Sequence, residues 1–188
     1  MKKAVIVAAM SVLPVSAAMA ENYTVDPGHT YPSFTINHLG FSTMSGKFDA
    51  TTGAFTYDPA GKSASVEVTI DASSIDTGHD KRDDHLRSPD FLNVAEFPEI
   101  TFNSTNVTWN GEAPASIDGD LTILGVTKPV SLAVTGMNCG EHPFNQKWTC
   151  GFDANTSIKR SDFGVNYGLP AIGDEMTLNF EVEGQRDE

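Results

Sequence analysis

The chemistry-bearing residues of this chain are few, and the five histidines stand out first. The densest group is His79-Asp80-Lys81-Arg82-Asp83-Asp84-His85, where two imidazoles flank three carboxylates. On a helix His79 and Asp83 share a face, whereas Asp84 and His85 point elsewhere. No H-E-x-x-H or comparable ligand spacing occurs, so a solvated, charged helix accounts for the cluster better than a metal centre, and no metal is expected. His38 alternates with Phe34 and Ile36 on an apolar strand face; a satisfied core histidine is the commoner outcome there, with a ligand contact as the alternative. No G-x-S-x-G motif occurs, and Gly164, Gly168 and Gly173 do not open a helix as a phosphate-binding loop would. No catalytic residue is assigned, and the chain is not expected to be an enzyme. Two cations are placed more suggestively. Arg87-Ser88-Pro89-Asp90-Phe91 and Arg160-Ser161-Asp162-Phe163 each set an arginine beside a serine and an Asp-Phe pair. Each arginine could pair with its aspartate, the simpler role, or meet an anionic or carbonyl head group at a cavity mouth.

The segment around residues 80–92 is the one stretch after the leader with a helical signature. Thr77 followed by Asp80 fits a capping box, Asp80 to Arg87 spans about two turns, and Pro89 ends them by forcing its predecessor out of the α region. Phe91, Leu92 and Phe97 then supply apolar bulk. The segment reads either as a helical cap over one end of an apolar β structure or as an ordinary crossover. Everywhere else the period is two. Val66, Val68 and Ile70 alternate with polar residues, as do Ile117, Leu121 and Ile123, then Val130, Leu132 and Val134, then Cys150, Phe152, Ala154 and Ile158, then Met176, Leu178, Phe180 and Val182. Such alternation puts apolar side chains on one face of a sheet. Parity changes across Thr51-Thr52-Gly53 and across Asn103 to Asn106, so a β-bulge is expected at each. Turn signals at Asp26-Pro27-Gly28, Asp58-Pro59-Ala60-Gly61, Asn110-Gly111 and Gly125 separate the runs. The pattern gives eight or nine strands in one antiparallel system, barrel or sandwich. An outer-membrane barrel fits poorly, because the strands carry many acids and lack aromatic girdles.

Residues 1–20 read as a secretory signal peptide: Lys2 and Lys3, an apolar run, then Ala18-Met19-Ala20 as the cleavage site. Removing its two lysines takes the net charge from −13 to −15. A chain this acidic repels phosphate backbones, so no nucleic-acid partner is expected. Cys139 and Cys150 are the only cysteines, and an even pair in an exported chain implies a disulfide that staples a hairpin end, worth roughly 3 kcal/mol in the chain-entropy model.

Several long motifs, in order, carry a family resemblance: Phe34-x-Ile36-x-His38-Leu39-Gly40, His85-Leu86-Arg87-Ser88-Pro89-Asp90-Phe91-Leu92-Asn93, Gly119-Asp120-Leu121-Thr122 with Gly125-Val126-Thr127-Lys128-Pro129-Val130, and Arg160-Ser161-Asp162-Phe163-Gly164 with Gly173-Asp174-Glu175. With these the chain resembles the YceI-like family of periplasmic polyisoprenoid-binding proteins, from Tyr23 to about Gly184. The resemblance implies an all-β fold, a single extended antiparallel eight-stranded lipocalin-like barrel with a short helical crossover, over residues 21–188. It also implies a periplasmic carrier for an isoprenoid lipid, polyprenyl or quinone, with no further cofactor. The expected tunnel residues are Phe34, Ile36, His38, Phe48, Val68, Ile70, Phe91, Phe102, Leu121, Ile123, Leu132, Val134, Phe152, Leu178 and Phe180, with His85 and Arg87 at the mouth. Transient contact with a membrane or a membrane protein would follow from such a role, and a homodimer is left open. The rivals are a protein-interaction or stress-response module with a filled barrel, and an isoprenoid pyrophosphate hydrolase using His85 with Asp83 or Asp90.

Overall fold

The structure is a computed structural model and describes residues 20–188. The signal-peptide reading of residues 1–20 falls, but for Ala20, outside them. The alternating stretches form strands β1 (Glu21–Val25), β2 (Ser33–His38), β3 (Ser42–Phe48), β4 (Thr51–Asp58), β5 (Ser63–Asp71), β6 (Ile75–Asp76), β7 (Glu99–Asn110), β8 (Ala113–Ile123), β9 (Val126–Glu141), β10 (Trp148–Lys159) and β11 (Ile172–Arg186), with one α-helix, α1 (Asp80–Arg87).

All pairings are antiparallel, and β1-β4-β5-β7-β8-β9-β10-β11 closes into a ring through β1 and β11. The three remaining segments prolong members of that ring. β11 pairs with β1 near Arg186 and with β2 from Ile172 to Asn179, so β1 and β2 act as one interrupted strand. In the same way β3 and β4 follow one another, as do β5 and β6. The result is an eight-stranded up-and-down barrel whose first three strands are broken midway. Its upper end carries the β2–β3 and β8–β9 turns, α1 and residues 160–171. Its lower end carries the other hairpin turns and the last strand's C-terminus.

The parity break at Asn103 to Asn106 is a bulge, with the β7–β8 register shifting between Ser104 and Asn106. The one expected at Thr51-Thr52-Gly53 is not: β4 pairs with β5 from Thr51 to Asp58 without a shift. Parity changes instead at Asp49-Ala50, where the chain leaves β3 for β4, because a break between segments flips side-chain direction as a bulge does. The expected capping box is also corrected. His79 is the N-cap, its Nδ1 accepting from the Arg82 amide at 3.3 Å. Thr77 donates its amide to Asp83 at 3.0 Å and its hydroxyl to the same carboxylate. One turn further along than Asp80, Asp83 is the carboxylate that faces back toward the strand end. Acidic Asp80 and Asp83 in the first turn and His85 and Arg87 in the last complement the helix dipole.

The lower half of the barrel is solid. Tyr23 stacks on Phe55 with centroids 4.8 Å apart, and Phe152 meets Phe55 edge-on at 5.8 Å. Burial, aided by a 2.8 Å hydrogen bond to Glu21, pushes the Tyr23 hydroxyl up to about 12. Above this layer lies Phe102, whose ring covers Gly119; a Cβ there would come within 2.4 Å of it. Glycine on the inward face of β8 is what lets the ring lie over the neighbouring strand.

Cys139 and Cys150 form a disulfide between directly opposed positions of β9 and β10, at the lower end. A disulfide of this kind is suited to an oxidising compartment. Replacing both cysteines by alanine is expected to lower the unfolding free energy by about 2–3 kcal/mol. Urea midpoints at constant m-value check this.

Candidate functional site

Above Phe102 the inward side chains no longer meet, and the barrel encloses a cavity of about 540 Å³. Phe34, Ile36 and His38 of β2 line it, with Met44 and Phe48 of β3 beside them. Ile70 of β5, Ile75 of β6, Ile100 of β7 and Leu121 and Ile123 of β8 form the adjoining wall. Ile158 of β10 and Met176, Leu178 and Phe180 of β11 complete it. The Phe34 ring lies over Gly46 opposite it, where a Cβ would fall 2.5 Å from the ring. Volume and lining suit a long apolar molecule, since ligand pockets occupy roughly 300–1,000 Å³.

Polar groups are confined to the upper end. Arg82, His85 and Leu86 project from one face of α1 into the cavity, followed by Phe91 and Leu92. The Arg82 guanidinium donates to the Thr77 hydroxyl and carbonyl, both at 2.7 Å. His85 Nε2 lies 2.8 Å from Asp90 Oδ2. Its ring packs edge-on against Phe91 and Tyr167, each at 5.1 Å, and Phe91 and Tyr167 are 5.0 Å apart. These three rings fasten the α1 segment to the loop that precedes β11. Solvent reaches the cavity beside Ser42 and Ser45 of β3 and Tyr167.

Arg160 also borders the cavity but is 3 % exposed, and it donates to the carbonyls of Gly173 (2.7 Å), Val165 (2.8 Å) and Ile172 (3.2 Å). Burial lowers its pKa from the ordinary arginine value. Asp174 accepts from the Ser161 amide at 2.9 Å and hydroxyl at 2.8 Å, and these bonds hold its carboxyl below the usual range. The 160–174 loop is thus pinned at both ends by side-chain-to-backbone bonds. His79 is used in capping α1, and among the described residues no three His, Cys, Asp or Glu side chains cluster as metal ligands.

A family model for the YceI-like domain matches residues 23–184. The chain belongs to the YceI-like family. It is 43% identical over 171 residues to Protein YceI of Salmonella arizonae, covering 89% of this chain and 88% of that one. The YceI protein of Campylobacter jejuni superposes with a TM-score of 0.71 at 30% identity, over 81% of this chain and 90% of its own. A polyisoprenoid-binding domain from Saccharophagus degradans, 15% identical, shares the fold with a TM-score of 0.64, over 88% and 98%.

In this YceI-like barrel Phe34, Ile36, His38, Phe48, Ile70, Phe91, Leu121, Ile123, Leu178 and Phe180 line the cavity, as does His85. Five expected tunnel residues do not. Val68 and Phe102 sit one inward position below Ile70 and Ile100 and form the floor, Leu132 is plain core, and Val134 and Phe152 belong to the packed lower half. All five share the inward parity of the lining residues, and parity carries no information about height along a strand. Arg87 is corrected as well. Its guanidinium donates to the Ser73 carbonyl at 2.7 Å and the Ile75 carbonyl at 2.9 Å and pairs with Asp84 at 3.1 Å, tying α1 to the end of β5 and β6. Neither Arg87 nor Arg160 pairs with the aspartate that follows it, and Asp90 goes to His85 instead.

Arg82 and Tyr167 were missed. Arg82 shares a helix face with His85 and Leu86, a spacing legible at period 3.6. Tyr167 lies in a loop with no period to read. Met176 and Ile158 were on inward stripes and could have been included.

Arg160→Leu is expected to cost about 3 kcal/mol or more, because it leaves buried carbonyls without donors; thermal unfolding measures it. Asp174, with its pKa depressed on folding, stabilises the protein above the ordinary carboxylate pKa and loses that contribution as pH falls through its folded value. The Tm gap between wild type and Asp174→Asn should therefore be widest near neutrality and close on acidification.

Proposed function

We infer that this protein binds an isoprenoid lipid, a polyprenyl or quinone, and carries it through the periplasm. The carrying observation is the apolar cavity of about 540 Å³, open at one end of a barrel whose other end is solid. Water entering at the mouth meets a predominantly apolar lining, and an apolar tail that displaces it gains about 25 cal/mol per Å² of surface withdrawn from water. The neighbouring Saccharophagus domain is described as polyisoprenoid-binding, and the shared barrel makes that class of occupant sterically reasonable here. The tail would lie against Ile36, Phe48, Ile70, Leu121, Ile123 and Leu178, with its head near His38, Arg82 and His85. The oxidising compartment implied by the disulfide fits a periplasmic location. The hydrolase alternative would draw on the close His85–Asp90 pair; a carrier returns its lipid chemically intact.

Native mass spectrometry of protein purified from the periplasm, with organic extraction, is expected to show a bound isoprenoid of unaltered structure. Leu178→Trp, which fills the lumen, should reduce the adduct roughly tenfold or more while the protein stays folded. A bare wild-type mass that persists after incubation with quinone and polyprenyl phosphate would overturn the assignment, and a bound dephosphorylated product would favour the hydrolase.

A further inference from the structure

At the mouth of this acidic barrel two segments hold no Asp, Glu, Lys or Arg: Thr30 to Gly46 and Gly164 to Gly173. The fold sets them side by side. β2 pairs with β11 through His38 and Ile172, and the β2–β3 turn projects beyond the cavity next to the 164–173 loop. Together they form one uncharged sector of the mouth, which the charged helix α1 adjoins through the contact of His85 with Tyr167.

That sector also concentrates exposed apolar surface. Phe41 is 89% exposed, Tyr167 47% and Leu39 46%; of the large apolar side chains exposed among the described residues, only Phe144 and Trp148, at the lower end, lie elsewhere. Leu39 occupies the first central position of the β2–β3 turn at φ 57°, followed by Gly40 at φ 75°, with the Phe41 amide bonded to the His38 carbonyl at 3.0 Å. This is the type I′ geometry that asparagine, aspartate or glycine adopts at least cost. Leu124 takes the same conformation in the β8–β9 turn but sits over Gly164, whereas Leu39 points into solvent. An apolar residue therefore stands at a position where a polar one would be cheaper and more soluble.

We propose that the Leu39–Phe41 turn and Tyr167 form a membrane-docking edge, which inserts into the interface of an electrically neutral phospholipid bilayer and brings the cavity mouth to the lipid surface. The occupant follows from charge and position. A net charge of −15 after leader removal opposes approach to anionic surfaces, and the uncharged sector is the part of the mouth free of that penalty. Apolar and aromatic side chains on a projecting turn match the acyl and headgroup boundary. The residues flanking the turn, His38 and Ser42, line the cavity, so insertion puts lumen and bilayer in continuity. The proposal rests on the isoprenoid-carrier reading for its purpose, but vesicle binding is measured independently of cargo.

The test is flotation of the full-length mature protein with vesicles of phosphatidylethanolamine and phosphatidylcholine. Wild type is expected to float, and Phe41→Asp to lose vesicle association by roughly tenfold or more, the loss of one buried aromatic side chain. Phe144→Asp, equally exposed at the lower end, should float as wild type does. Adding anionic lipid should weaken wild-type binding, and salt should restore it. In Phe41→Trp, emission should shift to the blue and be quenched by brominated acyl chains. Failure of wild type to float, or equal flotation of wild type and Phe41→Asp, overturns the proposal. So does a concentration-dependent dimer that Phe41→Asp converts to monomer, because the edge would then be covered by a second copy. Lipid extracted from Phe41→Asp separates the outcomes: cargo present with docking lost supports the edge, whereas cargo absent from wild type sinks the carrier reading alone.

Discussion

An inward-facing row of side chains on a closed barrel either meets its opposite across the axis or leaves a hollow, and nearly everything in this structure depends on where that changes. Below Phe102 the rows meet, through Tyr23, Phe55 and Phe152, and water is excluded by side-chain packing. Above it they stand apart and leave room that only a ligand of matching apolarity can fill without cost. Phe102 stands at the level of the change, its ring over Gly119 of the neighbouring strand. The same pairing of an aromatic ring with an inward glycine of the adjacent strand recurs at Phe34 and Gly46, where the ring borders the lumen.

The mouth is assembled from pieces that the strands alone do not supply. α1 is short and charged, yet Arg82, His85 and Leu86 share its inner face, while Arg87 on another face anchors it to backbone carbonyls of the preceding segment. The 160–174 loop is fixed by Arg160 and Asp174 in the same way. Between the two, His85, Phe91 and Tyr167 interlock. Buried or half-buried cations that bond to carbonyls hold irregular backbone in place where no sheet ladder reaches it.

Much of this was legible in the residues. Period-two alternation identified the strands and their inward faces, the turn signals fell between strands, and Asp80 to Arg87 had the length of the helix observed. Height along the barrel was not legible, since Val68 and Ile70, or Phe102 and Leu121, look alike in a pattern that repeats every second residue. Nor could the pattern distinguish a bulge from a gap between two strand segments, which is why Thr51 to Gly53 misled and Asn103 to Asn106 did not. Arg87 and Arg160 sit in near-identical sequence settings beside serine and aspartate, and their true partners are carbonyls from other parts of the chain. Those bonds are set by tertiary placement and leave no local trace.

The three interrupted strands are consecutive, so they fall on one side of the barrel. β7 to β11 make a continuous shell of long strands, stapled at its lower end, whereas β2, β3 and β6 form a short flap. That flap is held to the shell by the β2–β11 ladder, and within it β3 and β6 are joined by only Lys47–Asp76 and Phe48–Ile75. At residues 26–32, 49–50 and 72–74 the ladder gives way to isolated bonds, such as the Asp26 amide to the Glu183 carbonyl, the Asp49 amide to the Ser74 carbonyl and the Ala72 amide to the Pro98 carbonyl. The flap is thus joined by shorter ladders and single bonds where the shell has long continuous ones, and the lower core does not take part. Amide protons of the flap should exchange through local opening well ahead of those in β8 to β10, which makes the barrel mechanically two bodies, a rigid cup and a compliant lip, built from one uninterrupted meander.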